Sequence, residues 1–461
     1  MNFNETVVFV SSGMLKPKKR DNYLARRQQY LNYGALTLAT LLEERGYSVK
    51  LFHGGHEHPI SFVDMLNQFG VFYSKYPLMI SMQSLYALEW TQEFTKLVKN
   101  IYPTKTIILG GRWAIGSDPL WIKQRLPFVD RVEGGLGEDK ILNLAESNNH
   151  KRISINSNQV LPPEVLNHQI VDKYELFQPN IEVSRGCGMG CDFCEERSIP
   201  LTKLKPAIHV ADQLQKVALQ YNDFSIRPYL QSSFFAPNKK WSENLASAVA
   251  KHEKIIQWRC ESRVDALKPE SIKYLALGGM KAIDLGLESA SPQQIINMKK
   301  SNDPDKYLRS ASELLKACRD NNVYVKLNYL LYAGETEKTI DETIAWLDEH
   351  ADCIKGISVG PVVVFGAPTA SKDFVENLEK LGASLVSQEE LYQKGIGHIH
   401  PSAKISSDDA EEISIKISKK YMVMDDYFYL KSFSYYPRNY NFDDFKKDVM
   451  CSDKEKLPFY I

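Results

Sequence analysis

The sequence predicts an α/β chain in which two parallel-sheet domains follow one another and a mostly helical extension comes last. Three observations carry this. Short apolar runs alternate with amphipathic ones from residue 5 to about 145; the alternation resumes on a larger scale at Ile181 and continues to Phe365; beyond Gly366 it gives way to charged helical periodicity. Unbroken apolar strands separated by helices mark a parallel sheet covered on both faces, because a sheet with one wet face would alternate polar and apolar side chains.

In the first domain, residues 1–145, the spacing predicts strands at Thr6–Ser11, Ser48–His53, Leu78–Met82, Thr106–Leu109 and Arg131–Glu133. Between them it predicts helices at Leu31–Arg45, Ser61–Phe69, Leu88–Asn100 and Asp118–Gln124. Right-handed crossovers then favour a doubly wound, flavodoxin-like (Rossmann-type) sheet. Such sheets bind ligands beyond the carboxyl ends of their strands. Those ends carry Ser11-Ser12-Gly13, His53-Gly54-Gly55, Ser81-Met82-Gln83-Ser84, Gly110-Gly111-Arg112 and Gly134-Gly135. His53, His56 and His58 lie close enough in sequence to suggest metal ligation, but a hydrated surface loop accounts for them more simply. Residues 146–180, with Ser147-Asn148-Asn149, Leu161-Pro162-Pro163-Glu164 and Gln178-Pro179-Asn180, have no periodicity and read as a connector.

In the second domain, residues 181–365, a first strand at Ile181 is followed by strands at Ser225–Gln231, Ile255–Glu261, Ala282–Glu288, Tyr324–Leu331 and Ile357–Phe365. Helices are expected between them at His209–Tyr221, Ser242–His252, Pro269–Leu277, Tyr307–Asn321 and Glu337–Glu349. Six strands alternating with helices suit a βα barrel, and barrels of this kind place their chemistry at the carboxyl ends of the strands. Directly after the first strand the chain reads I-E-V-S-R-G-C-G-M-G-C-D-F-C, Ile181 to Cys194. The apolar alternation stops at Ser184-Arg185-Gly186, and Cys187, Cys191 and Cys194 follow in a loop whose backbone Gly186, Gly188 and Gly190 relax. Three soft thiolates at this spacing are expected to converge on one point and suit zinc or an iron-sulfur cluster. A structural zinc knuckle needs a fourth ligand, and no nearby Cys or His completes the usual paired spacing. A four-iron cluster on three cysteines keeps one iron open.

CxxxCxxC with Phe193 before the last cysteine resembles the signature of the radical S-adenosylmethionine (SAM) superfamily. The resemblance implies a partial, open (β/α)6 version of the TIM-type barrel and a [4Fe-4S] cluster whose open iron takes the amine and carboxylate of SAM. It implies reductive cleavage of SAM to methionine and a 5′-deoxyadenosyl radical, which removes a hydrogen atom from a peptide or natural-product substrate. A flavodoxin or ferredoxin would supply the electron. Trp258–Arg263 (W-R-C-E-S-R) and Gly286–Ser289 (G-L-E-S) resemble superfamily segments that hold the cofactor. On that likeness Glu288, with Ser289 beside it, would accept hydrogen bonds from the ribose, and Arg263 would grip the methionyl carboxylate with its fork. The competing role for each is a structural ion pair. Lys326 and Asn328 alternate with apolar neighbours and point into the barrel, either toward the cofactor or into a salt bridge. Y-A-G-E-T, Tyr332 to Thr336, resembles the turn after the fifth strand, where Thr336 would cap a helix.

P-L-M-I-S-M-Q-S, I-I-L-G-G-R and V-E-G-G-L-G-E are similar to the cobalamin-binding domain that precedes the radical module in many members. The DxHxxG sequence that supplies a lower-face histidine in many such domains is absent, and the glycines also suit plain turns. Three outcomes remain open: cobalamin-dependent methylation, epimerisation of a residue in a ribosomal precursor peptide, or a non-catalytic redox sensor. Epimerisation requires a cysteine hydrogen donor, for which Cys353 is preferred over Cys260 and Cys451, while Cys318 reads as core.

Composition narrows the class. A formal net charge of zero gives no field favouring nucleic acid or an anionic membrane. No apolar run reaches membrane-span length and the start has no secretory pattern, so a cytoplasmic location is expected. Seven cysteines, three of them clustered, suit reduced thiols and a metal site rather than a disulfide scaffold. In the extension, residues 366–461, helices are expected at Val375–Leu381 and Asp408–Tyr421. The aromatic run Tyr427–Tyr440 should pack on the core it covers, with Tyr435, Tyr436 and Arg438 the exceptions that would line a peptide groove.

Overall fold

A computed structural model describes residues 3–18, 22–113, 118–149, 162–197 and 199–461. Part of the expected connector, 150–161, lies outside the described residues. The chain forms two compact units, one of Met1–Phe177, Phe365–Lys372 and Gln388–Ile396, the other of Gln178–Val364, Asp373–Ser387 and Gly397–Ile461. No described helix is long and apolar enough to cross a membrane.

The first unit holds β1 (Thr6–Ser11), β2 (Ser48–His53), β3 (Leu78–Ser81), β4 (Ile107–Gly110) and β5 (Arg131–Val132). They form one sheet of order β2-β1-β3-β4-β5 with every neighbour parallel, the doubly wound order expected. The central strand β1 is buried at all its positions because helices cover both faces. On one face Leu36, Ala39 and Leu42 of the helix Tyr33–Glu43 pack on Val7, Phe9 and Leu51. That helix starts at Asn32, whose side chain accepts the Ala35 N–H at 3.0 Å. The strand order reverses between β1 and β3, which opens a crevice at their carboxyl ends.

The second unit holds β6 (Asn180–Glu182), β7 (Tyr229–Gln231), β8 (Trp258–Arg263), β9 (Met280–Glu288), β10 (Tyr324–Leu331) and β11 (Gly356–Pro361). Their order, β11-β10-β9-β8-β7-β6, is sequential and parallel, an open six-stranded barrel sheet. Period-two alternation sorts the side chains. On β10, Val325, Leu327 and Tyr329 are buried while Lys326 and Asn328 are half-buried. On β8, Trp258, Cys260 and Ser262 pack outward, and Arg259, Glu261 and Arg263 share the inner face. The expected strand Ile357–Phe365 breaks after Pro361, leaving β12 (Val363–Phe365) as a separate piece.

The extension is mostly helical, with Pro368–Lys380, Gln388–Lys394, Ser407–Tyr421, Met424–Ser432 and Phe442–Cys451. It also contains β13 (Ser384–Leu385) and β14 (Ile396–His400), an antiparallel pair too short to stand out in the sequence. The helix Met424–Ser432 closes the amino end of the barrel: Leu430 and Phe433 pack on Ala282 of β9. Arg227 lies over the Tyr429 and Phe433 rings at 5.2 and 4.8 Å.

Candidate functional site

The cysteine loop leaves β6 and folds back on residues 199–202. Cys187 N–H donates to Ile199 O at 3.0 Å, and Thr202 N–H donates to Arg185 O at 2.8 Å. Gly186 sits at φ +73°, and a Cβ there would lie 2.2 Å from Pro200 O, so only glycine permits this approach. Cys191 is buried, and Cys187 and Cys194 are partly exposed. Burial pushes both the Cys187 and the Cys194 thiol up. The three cysteines are near enough to interact electrostatically, Cys194 with both Cys187 and Cys191, although among the described residues no three His, Cys, Asp or Glu side chains are placed to hold a single metal ion.

Asp192, inside the motif, ties the loop down. Its N–H donates to Met298 O at 3.0 Å, and its carboxylate accepts from Lys299 Nζ at 2.7 Å and from the Tyr332 hydroxyl at 3.0 Å. Phe193 stands 6.4 Å from the Tyr332 ring, and the Lys300 ammonium lies 5.8 Å from the Phe193 centroid.

At the rim, Arg263 ends β8 and is 6% exposed. Its Nη1 donates to Cys191 Sγ at 2.9 Å, its Nε and Nη2 to Asp265 at 2.9 Å each, and its Nη2 also to Lys300 O at 2.6 Å. The fork expected to grip a ligand carboxylate is therefore closed on Asp265, two residues away in the turn after the strand. Glu288 ends β9 at φ +62°, a left-handed backbone that a non-glycine residue rarely adopts. Its carboxylate is 3.7 Å from Lys300 Nζ, and burial pushes it up against the pull of that ammonium. Ser289 departs from its expected role. It is buried against the helix Glu337–Glu349, sharing a hydrogen bond with the Thr343 hydroxyl at 3.1 Å and accepting the Ser291 N–H at 3.1 Å.

Lower in the barrel, Lys326 takes the salt-bridge alternative: its Nζ is 2.9 Å from Asp284 Oδ2. Arg259 Nη2 reaches the same oxygen at 2.7 Å and donates to the Tyr435 hydroxyl at 3.1 Å. Asn328 lies in register with Gly286 and Ser358 on the inner face. Tyr436 is buried against Phe428, Tyr440 and Phe445, and Arg438 pairs with Asp223, so neither lines a groove. Cys353 falls at the wrong end for a hydrogen donor. It precedes β11, at the amino end of a parallel sheet whose carboxyl end carries the cysteine loop, about 17 Å away for five steps of strand. Cys260 faces outward 4.0 Å from Met280 Sδ, and Cys451 is exposed on the last long helix.

The first unit has a crevice of its own at the carboxyl ends of β1, β2 and β3, lined by Ser12, Lys18, Gln29, His53, Ser84 and Phe177. Asn32 knits its floor, donating through Nδ2 to the Ser11 and Ser81 hydroxyls at 3.1 and 2.9 Å and through its backbone N–H to His53 Nε2 at 3.0 Å. Gly13 is required there, because a Cβ would lie 2.7 Å from Trp90 Nε1 and 2.9 Å from the Gly54 backbone. The hydrated-loop expectation fails for His53. Its ring centroid lies 4.8 Å from that of Phe177, the two rings tilted, and burial lowers its pKa to about 3. His56 bonds Met14 O, and His58 accepts the Ile60 N–H at a helix start. Among the described residues, Gln29 Oε1 and His53 Nδ1 are buried without partners.

Asp192, Asp265, Asp284 and Lys300 escaped the sequence reading. Asp192 and Asp265 carried a usable signal, since each stands within two residues of a candidate ligand. Asp284 and Lys300 are brought in by strand pairing and by the turn after Asn297.

Residues 181–347 match the radical SAM superfamily model. The chain is 21% identical over 277 residues to an uncharacterized methyltransferase of Pyrococcus horikoshii, covering 54% of this chain and spanning only 59% of that relative. In fold it is similar to the radical SAM methyltransferase TsrM of Kitasatospora setae, solved with tryptophan substrate and a SAM analogue: TM-score 0.61 and 14% identity over 83% of this chain and 79% of that one. It is also similar to the cobalamin-dependent radical enzyme OxsB solved with aqua-cobalamin and SAM: TM-score 0.56 and 16% identity over 85% of this chain and 56% of that one.

Proposed function

We propose, from the radical SAM domain that residues 181–347 carry, that the chain is a cobalamin-dependent radical SAM enzyme that methylates a carbon of a peptide or small natural product. The observation that carries this reading is the position of Cys187, Cys191 and Cys194 at the carboxyl end of β6, flanked by two buried cations, Arg263 and Lys300.

The residues present fit the groups this reading requires. A four-iron cluster takes one thiolate per iron, so Cys187, Cys191 and Cys194 would hold three irons and leave the fourth open. Arg263 donates a hydrogen bond to the Cys191 sulfur at 2.9 Å, a contact a ligating sulfur can accept. In the first unit, the crevice at the strand-order reversal offers two polar atoms that have no partner among the described residues, Gln29 Oε1 and His53 Nδ1, to a polar ligand such as the side groups of a corrinoid. When bound, the cluster, SAM and corrinoid would supply one-electron chemistry and a transferable methyl group. The chain's own residues then have definite tasks. Asp192 holds the loop against Met298 and Tyr332. Glu288 and Asn328 present polar atoms on the inner face of the barrel, and the Arg259, Asp284 and Tyr435 contacts close its floor against water.

The test is anaerobic reconstitution of the full chain with iron and sulfide, followed by SAM, reductant and hydroxocobalamin. The expected results are about four iron per chain, formation of 5′-deoxyadenosine, and S-adenosylhomocysteine only when the corrinoid is added. Cys191→Ala should lose all three. Zinc in place of iron, or equal product formation by Cys191→Ala, would end the proposal.

A further inference from the structure

Arg263, on the inner face of the barrel, donates a hydrogen bond to a cysteine sulfur. We infer that Arg263 is a positioning residue that sets the reduction potential of the cluster through its bond to Cys191, with Asp265 holding the guanidinium in place. The inference rests on the cluster reading given above. Three contacts fix the geometry: Asp265 takes Nε and Nη2, Lys300 O takes Nη2 again, and Nη1 is left to donate to Cys191 Sγ at 2.9 Å. A guanidinium held by a bidentate carboxylate has little freedom to turn away.

The charge balance at the sulfur is asymmetric. The Asp265 side chain is 24% exposed, while that of Arg263 is 8% exposed, so water screens the carboxylate more than the guanidinium. A net positive group therefore faces the sulfur. Reduction adds one negative charge to a cluster, and that charge spreads onto the ligating sulfurs. A buried N–H donor at one of them stabilises the reduced form more than the oxidised one, and hydrogen bonds to sulfur are among the factors that set such potentials. The same geometry explains why the fork is not free for a ligand carboxylate. Arg263 acts through Cys191 and does not touch the substrate.

The experiment is an EPR-monitored redox titration of the reconstituted full chain without SAM, with iron and sulfide counted for each protein. Arg263→Gln removes charge and donor together, and the reduced-to-oxidised ratio at a fixed potential should fall about tenfold, equivalent to about 59 mV for one electron. Arg263→Lys keeps the charge but cannot be held by the Asp265 fork, and its ratio should fall about threefold. An unchanged ratio in Arg263→Gln with full iron content overturns the inference while leaving the cluster reading intact. Should Arg263→Gln fail to retain iron, Arg263→Lys decides, and an unchanged ratio there overturns the inference equally. Iron loss from both variants would make Arg263 a structural support and also overturn it. A wild-type chain without a four-iron signal would instead sink the cluster reading itself.

Discussion

The floor and the rim of the barrel each bury an arginine from the same face of β8, and the two are used differently. At the floor, Arg259 is 2% exposed and lies between the Tyr229 and Tyr435 rings, 5.2 and 4.8 Å from their centroids. Its carboxylate partner Asp284 also takes Lys326. Acid, base and aromatic groups there answer one another. At the rim, four residues along the strand, Arg263 spends a donor on a cysteine sulfur, and Glu288 stands on a strained backbone 3.7 Å from Lys300. Parallel barrels keep stability at the amino ends of their strands and chemistry at the carboxyl ends, and this strand shows both with one residue type.

The largest effect that would test this division is at the floor. Burial pushes the Asp284 carboxyl up, but Arg259 and Lys326 outweigh it and hold it below the usual carboxylate range. Asp284→Asn leaves two cations without their shared carboxylate, which should cost about 3–5 kcal/mol in urea unfolding. A loss below about 1 kcal/mol would mean that the floor is not the structural end.

Glu335, buried in the turn after β10, provides the contrast to Asp284 at the carboxyl end. Burial pushes it up to about 7, because it is answered by the Thr339 hydroxyl and by backbone and amide donors rather than by a cation. Below its ordinary value of 4.5, the carboxyl is protonated in both the folded and the unfolded chain and adds no pH dependence. Between 4.5 and about 7 the unfolded chain has released the proton and the folded chain has kept it, so stability falls as pH rises. Above that both are ionised and the loss is complete, on the order of 3 kcal/mol. Urea midpoints across this range should therefore decline more steeply for wild type than for Glu335→Gln. Parallel curves for the two proteins would show that Glu335 titrates normally.

What the sequence made legible was mostly local. The strands Thr6–Ser11, Ser48–His53 and Tyr324–Leu331, apolar throughout or alternating, have the bounds expected of them. The run expected at Ser225–Gln231 pairs only over Tyr229–Gln231, because Asp223 folds a turn onto Ser225 and Pro228 has no N–H to donate. The cysteine loop was readable because its ligand candidates are neighbours in sequence. The partners of Arg263 and Lys326 were not, since Cys191, Lys300 and Asp284 reach them only through sheet register and loop return. Residue type and spacing indicated which side chains face the barrel, but not whether each meets another side chain or open space.

The smallest effect concerns Cys353, and it tests the polarity on which the comparison of floor and rim depends. The thiol is 4% exposed, burial pushes it up to about 11, and its Sγ lies 3.4 Å from Asp352 Oδ1 at the amino end of the sheet. A donor to a substrate radical must reach the carboxyl end, where the cysteine loop lies, and the length of β11 separates the two. Cys353→Ala should therefore leave 5′-deoxyadenosine formation and product yield unchanged within about twofold while lowering stability by about 1 kcal/mol. If turnover instead collapsed with folding intact, chemistry would have to reach the amino end of the strands, and the floor could no longer be the closed, structural half of the barrel.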